Sequence, residues 1–432
     1  MTYNNFIDRL FQDSNHSIIH GMAGTGKSTL INSISDRIGE RCLKLAPTGL
    51  AAYNINGTTI DSLLLCYHNA KDNTLTRLAQ YDSIIIDEIS MVHCFKMDMI
   101  FEIIESLQNR GKTVKLVLIG DPFQLPPVTT QNMTQAYSKK MNTALTPEKF
   151  YFFHSGYFQN YFNAMDCFLL VKNYRQGEAV FKNILEKIAN GTANKRDLCF
   201  INQQFKQPFQ NLSFQDVPVI TPHRSGANLF NQIGMERFEP KYFHDAVFEK
   251  RSIDYSDIEQ DCRNITEPIV YATGVPVVFT QNDCKNNWVN GTRGDITFCG
   301  SGYYNTPIVK ILRKDRNNEI YCEPTRHELY RFVYRGSTGK VDNECVAIVR
   351  QFPFVLGFAL TVHKTQGMTL DKMAFNPGEG CFAPGQLYVA LSRVKNINDL
   401  TLHVPIEPSD ILVSSDVQIY FDNFMRKCES VQ

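Results

Sequence analysis

Gly21-Met22-Ala23-Gly24-Thr25-Gly26-Lys27-Ser28 fits the phosphate-binding pattern G-x-x-x-x-G-K-[ST] in full. Glycines let a backbone wrap closely around phosphates, and the free N–H groups that open a helix face the anion. Lys27 can reach the terminal phosphates, and Gly21, Ala23, Gly24, Thr25, Gly26, Ser28 and Thr29 complete the candidate cradle. A second stretch, Ile84-Ile85-Ile86-Asp87-Glu88, ends an apolar run in two acids. Ser28 and Asp87 are the candidate magnesium-holding pair, Asp87 through the ion's outer shell, and Glu88 is placed to orient an attacking water. A simple nucleotide kinase needs no water-activating carboxylate, so the pair favours hydrolysis of a nucleoside triphosphate. Without the loop, two acids would be no more than the surface end of a strand.

Three further side chains bear on that chemistry. Gly120-Asp121-Pro122-Phe123-Gln124-Leu125-Pro126-Pro127-Val128 follows a strand expected beside that of Asp87, which places Gln124 to bond a γ-phosphate or its attacking water. Transition-state charge also calls for a planar cation from outside the loop. Arg175, in Asn173-Tyr174-Arg175, and Arg393, in Leu387-Tyr388-Val389-Ala390-Leu391-Ser392-Arg393-Val394, are the candidates. Taken alone, each would more often be a surface ion pair.

The elements that must hold these groups alternate. Apolar strands at 17–20, 42–46, 83–87 and 114–120, with helices after the first three, among them an amphipathic helix over 27–38, predict an α/β domain built on a parallel sheet. The phosphate loop would lie at the carboxyl ends of the strands with Asp87 beside it. Residues 129–163, aromatic and polar with weak periodicity, read as a connector. A second α/β pattern follows, with strands at 217–221, 275–280 and 354–362. Residues 295–349 interrupt it with short alternating β segments, and nine Lys/Arg against six Asp/Glu fall between 296 and 350. That surface is as readily an ordinary solvated hairpin as one that faces nucleic acid.

At 432 residues the chain predicts two or three domains. Lys+Arg and Asp+Glu are both 44, so a nucleic-acid strand would have to be gripped in a local groove and not by global charge. Twelve cysteines without one C-x-x-C argue against zinc ribbons and for buried thiols in a reducing compartment. No run of 18 apolar residues occurs and residues 1–10 lack a secretory pattern, so the expectation is a soluble, intracellular (cytoplasmic) protein without a membrane partner.

Strung in order, the motifs resemble superfamily 1 helicases of group B, and most of all the petite-integration-frequency (PIF) family. The matching pieces are the phosphate loop, Ala46-Pro47-Thr48-Gly49-Leu50-Ala51-Ala52, Asp87-Glu88-Ile89-Ser90-Met91-Val92, the Gly120 stretch, Asn173-Tyr174-Arg175, Val362-His363-Lys364-Thr365-Gln366-Gly367-Met368-Thr369 and the Leu387 stretch, with Asn290-Gly291-Thr292-Arg293-Gly294 resembling the entry to a β-rich insertion. The resemblance implies two RecA-like P-loop NTPase domains with a small SH3-like insertion in the second: domain 1A over 1–165 with a wedge at about 59–75, domain 2A over 166–295 and 351–432, and domain 2B over 296–350. It implies an ATP-dependent DNA helicase that uses Mg2+ and moves 5′ to 3′ on single-stranded DNA. Forked DNA, quadruplexes and RNA–DNA hybrids are the further partners, and a monomer suffices. Arg175 and Arg393 would be arginine fingers reaching from the second domain. Tyr174 would lie near the adenine, Gln366 and Gly367 would couple nucleotide to strand, and Thr48, Gly49, His363 and Thr365 would contact strand phosphates. Where the family tends to have Thr-Ile-His-Ser, this chain has Thr59-Ile60-Asp61-Ser62, and an acid is unfavourable on a phosphate path.

Rival readings stay open at this stage. An enzyme acting on RNA or RNA–DNA hybrids would keep the same motifs, and no 2′-hydroxyl reader is recognisable. A nucleotide-gated DNA clamp would not need Glu88, Arg175 and Arg393. A small-molecule kinase would leave the motif around His363 unexplained.

Overall fold

The structure, a computed structural model, describes residues 3–175, 178–205, 217–283, 287–302 and 306–431. Its centre is a seven-stranded sheet in the order Glu429–Val431, Asp166–Leu170, Ser17–Gly21, Lys115–Gly120, Ser83–Ile86, Cys42–Ala46, Thr58–Thr59. Every pairing in it is parallel. The strands are apolar runs because both faces are covered. Ile18, Leu116, Leu118, Ile84 and Ile86 face helix Cys94–Gln108, while Ile19, Val117, Ile119 and Ile85 face helix Lys27–Ile38. Alternate residues of one strand therefore feed two different cores.

Sequence expectation and structure part in three places. Residues 129–163 are no mere connector: they hold helices Gln131–Met141 and Gly156–Phe162, and Phe152, Phe153 and Phe158 are buried in the first core. Phe153 stacks on Tyr420 with ring centroids 4.5 Å apart. Next, strand Asp166–Leu170 pairs with Ser17–Gly21, and helix Ser415–Met425 with strand Glu429–Val431 packs on the same side, although the sequence assigned 166–175 and 415–431 to the second domain. His20, bonded through Nε2 to the Tyr420 hydroxyl at 2.8 Å, pins this return of the chain.

The third place is the second half. A four-stranded parallel sheet, ordered Ala359–Thr361, Val219–Thr221, Met373–Phe375, Leu400–Leu402, carries helices Ala179–Ala189 and Gln386–Leu391 on one face and Arg224–Met235 on the other. The strand expected at 275–280 exists as Pro276–Phe279, but it joins an antiparallel sheet ordered Glu319–Cys322, Pro307–Arg313, Arg293–Ser301, Pro276–Phe279, Phe354–Leu356. The run 354–362 is two strands, Phe354–Leu356 in this sheet and Ala359–Thr361 in the parallel one. The break falls at Gly357, where an added Cβ would lie 3.1 Å from the Pro276 carbonyl carbon. A long hairpin, Thr325–Arg335 with Lys340–Gln351, pairs with Val247–Arg251 and reaches the first domain, where Phe332 N–H donates to Asn132 Oδ1 at 2.6 Å. Among the described residues every cysteine is free, and no helix is long and apolar enough to cross a membrane.

Candidate active site

The phosphate loop leaves the carboxyl end of strand Ser17–Gly21 and enters helix Lys27–Ile38 through two left-handed glycines, Gly24 (φ 84) and Gly26 (φ 83). Gly21 has no room for a side chain: a Cβ would sit 2.4 Å from Thr25 Oγ1. Thr25 Oγ1 donates to the Met22 carbonyl at 2.8 Å, which closes the loop on itself. Lys27 Nζ lies under it, donating to the Gly21 and Met22 carbonyls at 2.7 and 2.9 Å. Ser28 and Thr29 are exposed at the helix start.

Two strands away, Asp87 and Glu88 end strand Ser83–Ile86. Burial, and then the neighbouring Glu88 charge, pushes the Asp87 carboxyl above its ordinary value. Its Oδ1 accepts the Glu88 N–H at 2.8 Å. Glu88 itself has φ +49, a strained backbone for a side-chain-bearing residue. Its Oε2 is buried and has no hydrogen-bond partner among the described residues. A hard divalent ion suits this donor set, since Mg2+ needs one or two protein oxygens and takes the rest from phosphates and water.

Two cations complete the cleft, Arg393 from the second half and Arg175 from the first. Arg393, 2% exposed, donates to the backbone carbonyls of Val389, Thr365 and Met368 and to Ser392 Oγ. Burial, and then the Arg175 charge, lowers its pKa to about 10. Arg175 reaches the Ser392 carbonyl at 3.3 Å, and burial lowers its pKa too. Among the described residues neither guanidinium has a carboxylate ion pair, so the cleft holds one buried and one partly buried cation with room for an anion's charge. Arg175 does not come from the second sheet as expected. It follows strand Asp166–Leu170 of the first, where Tyr174 N–H donates to the Gly24 carbonyl at 2.8 Å and Asn173 Nδ2 to the Ala23 carbonyl at 2.8 Å. The Tyr174 ring is 56% exposed under Lys172.

Gln124 is buried between the halves, with Nε2 3.4 Å from Asp121 Oδ2 and Oε1 3.3 Å from Gln366 Nε2. Sequence reasoning missed Asp121 and Tyr388 as members of the site. Both lie in quoted motifs, yet their partners are 267 residues apart.

Known proteins resemble this chain in sequence and in fold. Residues 4–147 match the family model of an AAA domain. The ATP-dependent DNA helicase Pif1 of Bdellovibrio bacteriovorus is 27% identical over 96% of this chain and 90% of its own length. That of Campylobacter jejuni is 29% identical over 89% and 88%. Along most of its length this chain is similar to Pif1 helicases. In fold it resembles a Bacteroides Pif1 helicase solved with ADP-AlF3 and single-stranded DNA, with TM-score 0.78 and 24% identity over 99% of this chain and 98% of that one. The Candida albicans Pif1 helicase gives TM-score 0.75 at 22% identity over 98% of each. Both neighbours share the paired RecA-like architecture.

The residues that the Pif1 resemblance assigns to a strand sit at helix Gly49–Asn54 of the first half and at the turn Val362–Thr365 of the second. Thr48 caps helix Gly49–Asn54 by accepting the Ala51 N–H at 3.2 Å. Gly49 packs so tightly on Asn282 that a Cβ would lie 2.2 Å from its Oδ1. Asn54 Nδ2 donates to the Gly367 carbonyl at 3.4 Å, joining the two segments across the halves. His363 is kept neutral, its pKa pushed to about 4 by burial and by Arg224, and Lys364 is lowered to about 8 by the same causes. Thr365 departs from expectation: it is fully buried and its hydroxyl is spent on the Val362 carbonyl at 2.7 Å. Asp61, the acid in place of histidine, forms an ion pair with Lys96 at 2.5 Å.

Proposed function

We propose that this chain is an ATP-dependent DNA helicase that moves 5′ to 3′ along single-stranded DNA and unwinds duplex. One observation carries the reading: Lys27, Asp87, Glu88 and Arg175 of the first half meet Arg393 and Gln366 of the second in one largely buried cleft. The names of the Bdellovibrio and Campylobacter relatives support the activity. Polarity rests on the group B resemblance.

In this reading the N–H groups of residues 21–29 and Lys27 bind the ATP phosphates. Ser28 and Asp87 would hold Mg2+, which would neutralise phosphate charge there. Glu88 takes the attacking water's proton through its unpartnered oxygen, and Arg175 and Arg393 bring charge to the transferred phosphoryl. Gln124 reports the γ-phosphate, Gln366 and Gly367 pass that state to the strand, and Tyr174 covers the base. Thr48, Gly49, His363 and the backbone at Thr365 grip strand phosphates, which binds without reading sequence. Helices Ile60–Asn69 and Lys71–Leu78 form the wedge, and the antiparallel strands around 296–350 act as an SH3-like domain. Because one chain supplies both sides of the cleft, a monomer is sufficient.

Strand displacement on duplexes with a 5′ or a 3′ single-stranded tail, with ATP and Mg2+, tests this. Unwinding of the 5′-tailed duplex alone, lost in Glu88→Gln, is expected. Unwinding from the 3′ tail refutes the polarity, and ATP hydrolysis stimulated by single strands without any unwinding refutes the helicase.

A further inference from the structure

Tyr388 is 1% exposed, on helix Gln386–Leu391 of the second half. Its hydroxyl uses both of its capacities on the first half. It accepts the N–H of Ala23, in the phosphate loop, at 2.7 Å, and donates to Asp121 Oδ2 at 2.6 Å. Asp121 is fully buried, and its Oδ1 takes the Phe123 N–H at 3.2 Å.

The Asp121 carboxylate accepts from the Tyr388 hydroxyl and the Phe123 N–H. Gln124 turns its Nε2 toward Asp121, which leaves its Oε1 to receive Gln366 Nε2 at 3.3 Å. Gln366 Oε1 is then left buried and without a partner among the described residues. The facing of both amides thus follows from one carboxylate, and that carboxylate is held by one phenol. The start of the Tyr388 helix is seated as tightly: at Gly385 (φ +76) a Cβ would fall 2.6 Å from the Phe123 carbonyl and 2.9 Å from that of Gln124.

We propose that Tyr388 is a positioning residue that ties the phosphate loop at Ala23 to the amides of Gln124 and Gln366, so that closure of the two halves and the facing of those amides are one event. The proposal rests on the reading of the cleft as an ATP-hydrolysing site. A shift of the loop on gain or loss of phosphate moves Ala23, and the hydroxyl carries that shift to Asp121 without passing through nucleotide or metal. Tyr388→Phe keeps the ring in its socket and removes only the two hydrogen bonds.

The test is a double-mutant cycle on single-strand-stimulated ATP turnover, with hydrogen exchange of the nucleotide-free protein at Ala23. Tyr388→Phe should lower kcat about tenfold, the size of one lost buried hydrogen bond to a charged group. It should lower kcat by less than about threefold in a Gln124→Ala background, since the effect runs through Gln124. Exchange at Ala23 should quicken in Tyr388→Phe and stay unchanged in Gln124→Ala. Asp121→Asn, equal in volume but with one acceptor in place of two, gives a second route to the same readouts and should exceed Tyr388→Phe in its loss. Equal losses in both backgrounds, or unchanged exchange at Ala23, overturn the proposal. A wild-type protein without ATP turnover would fail the reading of the cleft instead, while exchange at Ala23 still decides whether Tyr388 holds the loop.

Discussion

The first parallel sheet and the antiparallel strands between 276 and 356 meet different demands with different patterns. In the parallel sheet the strands Ser17–Gly21, Ser83–Ile86 and Lys115–Gly120 are buried at every position. In the antiparallel sheet burial alternates along Pro307–Arg313 and Glu319–Cys322, and Tyr321 is 63% exposed. A strand held on both faces fixes the atoms just beyond its end, and that is where the phosphate loop, Asp87 and Gln124 sit. A sheet with one wet face can change that face freely while its other face packs on Val219, Ala359 and Ala374. The comparison teaches that chemistry here is placed where the backbone has least freedom, and variable contact where it has most.

Predictions can break that contrast, beginning with the largest. Glu88→Gln should lower ATP turnover by roughly 10²–10⁴ while nucleotide binding persists, as expected for loss of a general base. Tyr321→Ala, on the open face, should leave turnover within about twofold, because exposed side chains contribute little to structure. A matched loss in both variants would remove the distinction. For stability, Phe152→Ala empties a fully buried site of the first core and should cost about 3–5 kcal/mol by denaturant unfolding, while Tyr321→Ala should cost under ~0.5 kcal/mol.

A smaller effect concerns acid. Burial is the main cause that holds His16 at about 4, His20 at about 3 and His93 at about 4, all in the first domain. Below pH 6.5 the unfolded chain takes up protons that these rings refuse, so stability falls as pH drops from 6.5 toward 4. The expected loss between pH 6.5 and 5 is on the order of 1–2 kcal/mol for each histidine. Chemical denaturation across that range checks it, and a flat profile would contradict neutral burial. A single contact is tested at the hairpin's landing on the first domain, where Asn132→Ala should cost ~1 kcal/mol, one hydrogen bond.

What could be read from sequence was local. Helix Lys27–Ile38 and strand Cys42–Ala46 have the expected bounds, since apolar spacing and a glycine at each end of the helix specify them without distant partners. Asp87 and Glu88 lie where an apolar run ending in acids places them. What failed was partnership. Asp166–Leu170 looks like any short apolar strand, and only pairing with Ser17–Gly21 brings Arg175 to the phosphate loop from the first side. The aromatics at 150–158 have no helical period, yet stack into a core completed by Tyr420 from the far end of the chain. Asp121 and Tyr388 acquire their roles from a contact that no spacing encodes.

The central claim is that one cleft, closed between two sheets, hydrolyses the nucleotide. Turnover of ATP by Arg393→Ala in the presence of single-stranded DNA, measured beside its equilibrium nucleotide affinity, tests it most directly. A fall in kcat of about 10³ or more, with affinity changed by less than about tenfold, is the predicted result. Turnover equal to wild type would mean that the second half takes no part in the chemistry, and the account would be wrong.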